Sequence, residues 1–204
     1  MSTPTLVIAT ANSHKVEEIT ALLSSLLPGF SSASVATMAD FDVDSPVEDG
    51  LTFADNALTK ARHLAQQTQL PALADDSGIS VAALGGSPGV FSARWAGRHG
   101  DDEANLNLLL AQLSDVSDEH RAAKFVCAVA LALPDGTEVV TEGTVEGRLA
   151  RSPRGKGGFG YDPIFIPRGF DRTTAELTPA EKNSISHRSR AIRAMAPHLA
   201  ELIG

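Results

Sequence analysis

The chain has 204 residues and a formal net charge of −8, and 43% of its residues are apolar, which excludes a disordered protein. The acidic balance argues against nucleic acid as a partner, and no apolar run is long enough to cross a bilayer, so no membrane partner is predicted either. Cys127 is the single cysteine and cannot form an internal disulfide. Together with the lack of a secretory signal, it predicts a cytoplasmic location.

The first quarter of the chain predicts a strand followed by two helices. Residues 5–9 form a short apolar run that is typical of a buried strand. A helical apolar stripe follows, with Asn12 or Ser13 as its cap, and it ends at Pro28-Gly29. Residues 31–50 are acidic and weakly patterned. A second helix is predicted after Thr52, with Lys60 on its polar stripe.

The rest of the chain predicts a mixed sheet. A short strand leads into Asp75-Asp76, and a segment rich in glycine and proline, residues 85–100, precedes a third helix near Leu106–Leu113. Two long antiparallel strands are predicted over residues 122–133 and 137–149, and a capping box at Thr178 predicts a short helix. The last helix carries Ile185 to Leu202 on one face, with a kink at Pro197. The expected class is α/β.

The paired carboxylates of PALADDSG (residues 71–78) allow two interpretations. Adjacent side chains of a strand point to opposite faces, so one site could not use both Asp75 and Asp76 if the strand continued. We expect Ser77-Gly78 to end the strand and to let one or both carboxylates face a cleft. There they could bind Mg²⁺ with Glu48 as a second ligand, or form an ordinary turn. The stretch alone favours the turn.

The glycine-rich loop that follows the predicted hairpin also allows two interpretations. Gly155, Gly157 and Gly160 match the spacing of a dinucleotide fingerprint, but Tyr161-Asp162-Pro163 stands where that fingerprint needs a helix. The loop could place Phe159 against a nucleobase, or it could be a packed surface turn. Candidate cationic ligands, each of which could also be a solvated surface charge, are Lys15, Lys60, Lys182, His187 and Arg188.

Four segments together resemble the inosine/xanthosine triphosphate pyrophosphatase family, whose members hydrolyse non-standard purine triphosphates. In chain order they are TANSHK, GLTFADNALTKA, ADDSG with LGGSPGVFSARWAG, and GGFGYDPIF with AELTPAEKNSISHR. They span residues 6–190, nearly the whole chain. One position differs, because Ala11 stands where the family usually has glycine.

The resemblance implies one nucleoside triphosphate pyrophosphatase domain over residues 1–204, with an elongated mixed β-sheet flanked by helices. It also implies two lobes with an active-site cleft between them, a homodimer, Mg²⁺ as cofactor, and hydrolysis of ITP, dITP and XTP to the monophosphate and pyrophosphate. By motif, Asp76 is the expected general base and a metal ligand, Glu48 a second metal ligand, and Asp75 a weaker one. The expected triphosphate ligands are Thr10, Asn12, Lys15, Lys60, Ser77 and Lys182, and the expected purine ligands are Phe159, Gly160, Tyr161, Asp162, His187 and Arg188.

The expected chemistry accounts for the preference for 6-oxo purines. His187 and Arg188 can donate to a 6-oxo group, whereas the amino group of adenine would face donors. Guanine also carries a 6-oxo group, so its rejection requires a further feature that disfavours its 2-amino group. Two alternatives stay open: a pyrophosphatase of related fold that acts on other modified bases, and a noncatalytic nucleotide-binding protein. The carboxylates of Asp76 and Glu48 disfavour the second.

Overall fold

A six-stranded mixed sheet organises the chain in the computed structural model, which describes residues 4–10 and 12–203 apart from the side chains at positions 13, 14 and 203. The strands are β1 (Leu6–Ile8), β2 (Val35–Thr37), β3 (Ala72–Val81), β4 (Ala122–Ala132), β5 (Glu138–Leu149) and β6 (Phe165–Pro167), and their order is β2-β1-β3-β4-β5-β6. Strand β1 is parallel to β2 and β3, whereas β5 is antiparallel to β6. The mixed α/β sheet is therefore confirmed. The cleft between two lobes and the single domain stay predictions.

The α-helices of the described residues are α1 (Ser13–Leu26), α2 (Phe53–Thr68), α3 (Asp102–Gln112), α4 (Pro179–Ile185) and α5 (His187–Ile203). Thr52 caps α2 as predicted, since its hydroxyl accepts from the Asp55 amide at 3.1 Å and its own amide donates to the Asp55 carboxylate. The predicted capping box at Thr178 likewise begins α4. Pro197 lies inside α5, and Ile185 belongs to α4 instead of the last helix. In the described part of the chain, no helix is both long and apolar enough for a membrane span.

The chain divides into two units. The first unit takes the described residues up to Asp76, together with Cys127–Gly143 and the residues from Arg188 onward. In this unit α1 and α5 pack on one face of the sheet through a large aliphatic cluster that includes Ile19, Leu23, Leu73 and Ile192. Helix α2 packs on the other face, where most of the buried side chains are alanines, among them Ala57, Ala61, Ala72, Ala74 and Ala128.

The second unit comprises Ser77–Val126 and Thr144–His187. Its core joins α3 to β5 and β6 and to the part of β3 and β4 that lies in this unit. The buried side chains of this core include Ile79, Leu109, Phe125, Leu149 and Phe165. The glycine-rich loop and α4 both belong to this unit.

The expectation that the strand ends at Asp75-Asp76 is wrong, because β3 continues through Ser77 and Gly78 to Val81. Another segment of backbone approaches the strand at Gly78, where an added Cβ would lie 2.7 Å from the Gly89 carbonyl oxygen. The amide of Ile79 also donates to the Ser92 hydroxyl at 2.9 Å. The glycine therefore marks a close backbone approach within a strand instead of a break.

A buried arginine anchors the start of the glycine-rich loop. The guanidinium of Arg121 donates to the carbonyl of Leu113 at the end of α3, at 2.7 Å, and to the carbonyls of Leu149 and Ala150, at 3.0 and 2.9 Å. Arg121 is only 2% exposed, so its guanidinium is a buried charged donor to these three carbonyls, of which that of Leu113 also accepts from the Val116 amide at 3.1 Å. It ties the end of β5 to the end of α3.

We predict that Arg121→Met lowers the free energy of unfolding by about 3 kcal/mol, since buried carbonyls lose a charged donor. Urea denaturation measures the change. The matched control is Arg151→Met, which removes an arginine whose side chain is 55% exposed. We expect the control to change stability by less than about 0.5 kcal/mol. Equal losses in the two variants would contradict the anchoring role.

Candidate active site

The two adjacent aspartates of β3 are held from opposite faces of the sheet. Asp75 Oδ2 lies 3.0 Å from Lys15 Nζ on α1 and 3.1 Å from Arg188 Nη2 on α5. Asp76 Oδ1 lies 3.1 Å from Lys60 Nζ, and its Oδ2 accepts from Asn56 Nδ2 at 3.2 Å, both on α2. The alternation of side chains along a strand requires this separation. The two carboxylates therefore have unequal surroundings.

Asp75 belongs to a buried network of charges. Arg188, which is 2% exposed, also forms an ion pair with Glu18 on α1. The network is therefore a chain of alternating charges that runs from Lys15 through Asp75 and Arg188 to Glu18. Burial alone would raise the pKa of Asp75, but the charges of Lys15 and Arg188 outweigh it and hold that pKa well below its usual range. Asp75 is therefore a permanent anion at neutral pH.

Cys127 lies beside this network, with its sulfur 4.0 Å from Asp75 Oδ2. Burial, followed by the nearby charge of Asp75, raises the pKa of its thiol to about 12. A thiol with this pKa is protonated at neutral pH and is a poor nucleophile. Its position in the core agrees with the packing role that the apolar run predicts.

Asp76 shares one cation with Glu48. Lys60 Nζ lies 3.1 Å from Asp76 Oδ1 and 3.5 Å from Glu48 Oε1. Burial raises the pKa of Asp76 above its ordinary value, against the opposing charge of Lys60. Burial would lower the pKa of Lys60, but the surrounding carboxylates, Asp76 first, raise it. The ammonium therefore stays charged, while Asp76 binds a proton more readily than a solvated aspartate does.

Asn56 fixes the geometry of this second group. Its Nδ2 donates to Asp76, and its Oδ1 accepts from the Gly50 amide at 2.8 Å. The side chain is fully buried. Asn56 thus connects the segment that carries Glu48 to the Asp76 carboxylate, a role the sequence analysis did not assign to it.

The residues around Lys60 fit a divalent cation. Glu48 and Asp76 already place carboxylate oxygens around one positive charge, and Mg²⁺ commonly takes one or two protein carboxylates with phosphate oxygens and waters. Within the described residues there is no group of three or more histidine, cysteine, aspartate or glutamate side chains suited to a metal. A bound Mg²⁺ would therefore depend on ligands from water and substrate.

The polar residues at the start of α1 are arranged as a turn. The amide of Asn12 donates to the Thr10 hydroxyl at 3.2 Å, and the Lys15 amide lies 3.4 Å from Asn12 Oδ1. The departure from the family pattern at Ala11 lies outside the described residues. Ser77 follows Asp76 directly in β3 and belongs to the second unit.

In the second unit, the glycine-rich loop folds around the buried carboxylate of Asp162. Its Oδ2 accepts from the Phe159 amide at 2.9 Å and from Lys182 Nζ at 2.7 Å, and its Oδ1 accepts from the Thr174 hydroxyl at 2.8 Å. Gly158 makes this possible, because its φ is +73° and an added Cβ would lie 2.7 Å from Asp162 Cγ. The Lys182 ammonium also lies 5.1 Å from the centre of the Phe159 ring.

Three other predicted purine ligands, Gly160, Tyr161 and His187, already contact other residues of the second unit. The His187 ring stacks on Phe125, with centroids 4.8 Å apart and planes 11° apart. Tyr161 is buried and donates its hydroxyl to the Ser92 carbonyl, and the Gly160 amide donates to Asp102, both at 2.8 Å. A cavity of about 10 Å³ lined by Asp162, Thr174, Lys182 and His187 has room for about one water molecule. A purine cannot lie inside it.

The structure groups the predicted site residues in three sets. Lys15, Asp75 and Arg188 form one set, Glu48, Lys60 and Asp76 a second, and Phe159, Asp162 and Lys182 a third. Arg188, expected at the purine, contacts Asp75 and Glu18. The roles of all these residues stay predictions. Glu18, Asn56 and Thr174 were not among the predicted site residues. Glu18 lies one helical turn from Lys15, and Asn56 lies one helical turn from Lys60, so helical spacing could have indicated both.

Comparison with known proteins identifies the family. The model of the Ham1 family matches residues 6–198. This chain belongs to the Ham1 family. Among curated Ham1-type relatives, it is 56% identical over 199 residues to a dITP/XTP pyrophosphatase of Streptomyces coelicolor, a match that covers 98% of both chains. It is 52% identical over 198 residues to the dITP/XTP pyrophosphatase of Mycobacterium tuberculosis, with 97% and 96% of the two chains covered.

Solved structures of Ham1 proteins agree with this fold. A HAM1 protein from Coxiella burnetii superposes with a TM-score of 0.86 at 43% identity and covers 96% of this chain and 98% of its own. A crystal structure of a nucleoside-triphosphatase, dITP/XTP pyrophosphatase, from Mycobacterium abscessus superposes with a TM-score of 0.77 at 51% identity, over 94% and 98% of the two chains. The resemblance predicted from four sequence segments is confirmed.

We predict that replacing the two aspartates with asparagine has different effects on stability. Asp75→Asn leaves the buried guanidinium of Arg188 and Lys15 without their shared counter-ion and lowers the free energy of unfolding by about 3 kcal/mol. Asp76→Asn removes a charge that burial disfavours and leaves Lys60 paired with Glu48, so its loss is smaller. Urea denaturation at pH 7 measures both, and each variant serves as the control for the other. Equal losses would contradict the separation of the two carboxylates.

The effect of Asp75→Asn depends on pH in a defined direction. The unfolded pKa of an aspartate is about 3.9, and the folded pKa of Asp75 lies below it. Ionised Asp75 therefore stabilises the folded state above about pH 3.9, and this contribution disappears as the pH falls below that value. We expect the stability difference between wild type and Asp75→Asn to shrink in acid. A difference that grows as the pH falls would be the opposite result.

Proposed function

We propose that this Ham1 protein hydrolyses non-standard purine nucleoside triphosphates, ITP, dITP and XTP, to the monophosphate and pyrophosphate. One observation carries the proposal: the buried carboxylate of Asp76 faces the same cation as Glu48. A base beside a cation-binding pair is the arrangement that phosphate-anhydride hydrolysis needs. The names of the relatives, dITP/XTP pyrophosphatase, support the substrate class.

Asp76 acts as the general base in this proposal. A carboxylate beside the phosphates can accept a proton from the attacking water. Asn56 holds Oδ2 and Lys60 holds Oδ1, so the carboxylate has a fixed orientation. For pyrophosphate to be released as one group, the water attacks the α-phosphorus and the bond between that phosphorus and the bridging oxygen breaks.

Glu48 and Asp76 hold Mg²⁺ in this proposal. The metal supplies positive charge to the phosphate oxygens as negative charge accumulates on the leaving pyrophosphate. Lys60, which already contacts both carboxylates, then directs its ammonium to the phosphates. We assign Asp75 to Lys15 and Arg188 instead of to the metal, because its carboxylate is committed to them on the other face of β3.

The remaining triphosphate ligands are donors near the start of α1 and on β3. Lys15 lies in the first turn of α1, where helix amides attract anions. Thr10 and Asn12 shape the turn that leads into this helix. Ser77 offers a hydroxyl next to Asp76. Lys15 and Lys60 would add positive charge from opposite faces of β3, since one is paired with Asp75 and the other with Asp76.

The second unit supplies the purine ligands in this proposal. Phe159 offers an aromatic face and His187 a donor for a 6-oxo group. Lys182, expected at the triphosphate, is reassigned here to the 6-oxo group because it contacts Asp162 and the Phe159 ring. The ammonium of Lys182 is fixed between the Asp162 carboxylate and the Phe159 ring, so its direction does not depend on the ligand. Gly160, Tyr161 and Arg188 act through the contacts that shape this loop and the Asp75 network. The homodimer rests on the resemblance, and the cytoplasmic location rests on the single cysteine and the lack of a secretory signal; both remain proposals.

We predict that the protein releases pyrophosphate from ITP, dITP and XTP with Mg²⁺ at least tenfold faster than from ATP, because a mismatched buried polar group costs more than about 1.4 kcal/mol. A coupled pyrophosphate assay over a panel of purine and pyrimidine triphosphates measures the rates. Equal rates for ATP and ITP would overturn the specificity. Binding without release from any nucleotide would indicate a noncatalytic binder, and a preference for modified pyrimidines would indicate a different substrate class.

We predict that Asp76→Asn lowers kcat for ITP by about 10²- to 10⁴-fold, the range typical of a lost general base, while the Kd for ITP changes little. Steady-state kinetics and titration calorimetry measure the two quantities. Asp49→Asn, an exposed change beside Glu48, is the matched control and leaves kcat unchanged. If Asp75→Asn abolished turnover through chemistry and Asp76→Asn stayed active, the assignment of the two aspartates would be reversed.

A further inference from the structure

Thr174 holds one oxygen of the Asp162 carboxylate. Its hydroxyl lies 2.8 Å from Asp162 Oδ1 and 3.1 Å from the Asp162 backbone carbonyl oxygen, with the shorter contact to Oδ1, while the Phe159 amide and Lys182 Nζ donate to Oδ2. Both residues are buried, with Asp162 4% and Thr174 6% exposed. A carboxylate can accept about four hydrogen bonds, so three donors within the described residues use most of this capacity.

The position of the Thr174 hydroxyl is built into the second unit. Thr173 begins a short turn in which its amide donates to the Glu176 carboxylate at 2.7 Å, and its hydroxyl donates to the Arg154 carbonyl at 2.8 Å. The Ala175 carbonyl then accepts from the Gly157 amide at 3.0 Å. Both chain neighbours of Thr174, Thr173 and Ala175, are therefore hydrogen-bonded to the segment of residues 154–157.

Gly155 allows this close packing. An added Cβ at Gly155 would lie 2.5 Å from the Ala175 carbonyl oxygen, and the φ of Gly155 is +85°. Two backbone segments thus meet with no side chain between them. Two of the three glycines that match a dinucleotide spacing, Gly155 and Gly157, approach Ala175 and so place the turn that carries Thr174.

We propose that Thr174 is a specificity-determining positioning residue, which acts through Asp162 to reject purines that carry exocyclic amino groups. The proposal rests on the proposed function. A 6-oxo group needs a donor, which the fixed Lys182 ammonium supplies. The 6-amino group of adenine and the 2-amino group of guanine need an acceptor. Because Thr174 occupies Asp162 Oδ1, the carboxylate offers them little acceptor capacity, and a buried amino group without an acceptor is costly.

Thr174→Val tests the proposal, because valine keeps the shape of threonine and lacks the hydroxyl. It frees Asp162 Oδ1 as an acceptor and leaves the carboxylate less constrained. We expect the ratio of kcat/KM for ITP to that for GTP, and likewise for ATP, to fall about tenfold, which is the scale of one hydrogen bond to a charged group. Thr174→Ser retains the hydroxyl and restores the ratio.

The matched control is Thr173→Val, the same change at the neighbouring position. Its hydroxyl contacts the Arg154 carbonyl and not Asp162, so we expect the ITP to GTP ratio to stay at the wild-type value even where stability falls. An unchanged ratio in Thr174→Val, or a Thr174→Ser variant as unselective as Thr174→Val, would overturn the proposal. An equal fall in the ratio for Thr173→Val would also overturn it, since the effect would then be general loosening of the turn.

A binding experiment separates this proposal from the proposed function. In an Asp76→Asn background, titration calorimetry gives the Kd values of ITP and GTP without hydrolysis. If the wild type releases no pyrophosphate and yet the ratio of these Kd values responds to Thr174→Val, the proposed function fails and the role of Thr174 stands. If the wild type is an active pyrophosphatase and neither ratio responds, the role of Thr174 fails alone.

Discussion

Two carboxylates on adjacent positions of one strand have to be neutralised from opposite faces of the sheet, and the first unit is arranged around that constraint. Helices α1 and α5 bring Lys15 and Arg188 to Asp75 on one face, and α2 brings Lys60 and Asn56 to Asp76 on the other. A buried carboxylate that lacked these partners would be strongly destabilising. The same packing of α1, α2 and α5 on the sheet therefore also sets the charges around the two aspartates.

The constraint also explains why the two aspartates differ chemically. Asp75 faces two cations and is held ionised, with its pKa below the usual range. Asp76 faces one ammonium that it shares with Glu48, so burial dominates and its pKa is raised. A strand can thus carry one carboxylate with a lowered pKa and one with a raised pKa at consecutive positions, because each face has its own set of partners.

Asp162 in the second unit is also a buried carboxylate held by several donors, two of them neutral. An amide, a hydroxyl and one ammonium surround it, and three close approaches of glycine backbone, at Gly155, Gly157 and Gly158, leave room for these groups. The carboxylate organises a loop that contains no regular secondary structure between β5 and the turn at Asp162. Buried acids therefore define the geometry in both units.

Local signals in the sequence predicted much of the fold. Thr52 and Thr178 begin helices because their capping boxes are complete within four residues, and the long hairpin strands carry clear apolar runs. Strands β2 and β6 have only three residues each, too few to show a period, and were missed. Ser77-Gly78 signals a turn locally, but contacts with Gly89 and Ser92 keep the strand intact, and such contacts are not visible in the local pattern.

The same limit applies to the site. The unequal roles of Asp75 and Asp76 were predicted, because strand alternation is a local property. The pairing of Arg188 with Asp75 joins residues 113 positions apart, and that of Thr174 with Asp162 joins residues 12 apart across an irregular loop, so neither has a periodic signature. The family resemblance predicted which residues form the site, and the structure is needed to show what they contact.

The most direct test of the separation between the two carboxylates is their individual titration by NMR, with aspartate side-chain carboxyls labelled with ¹³C and assigned through the Asp75→Asn and Asp76→Asn variants. We expect Asp76 to titrate above the usual aspartate pKa of about 3.9 and Asp75 to titrate below it. Coincident midpoints, or a higher pKa for Asp75 than for Asp76, would contradict the account.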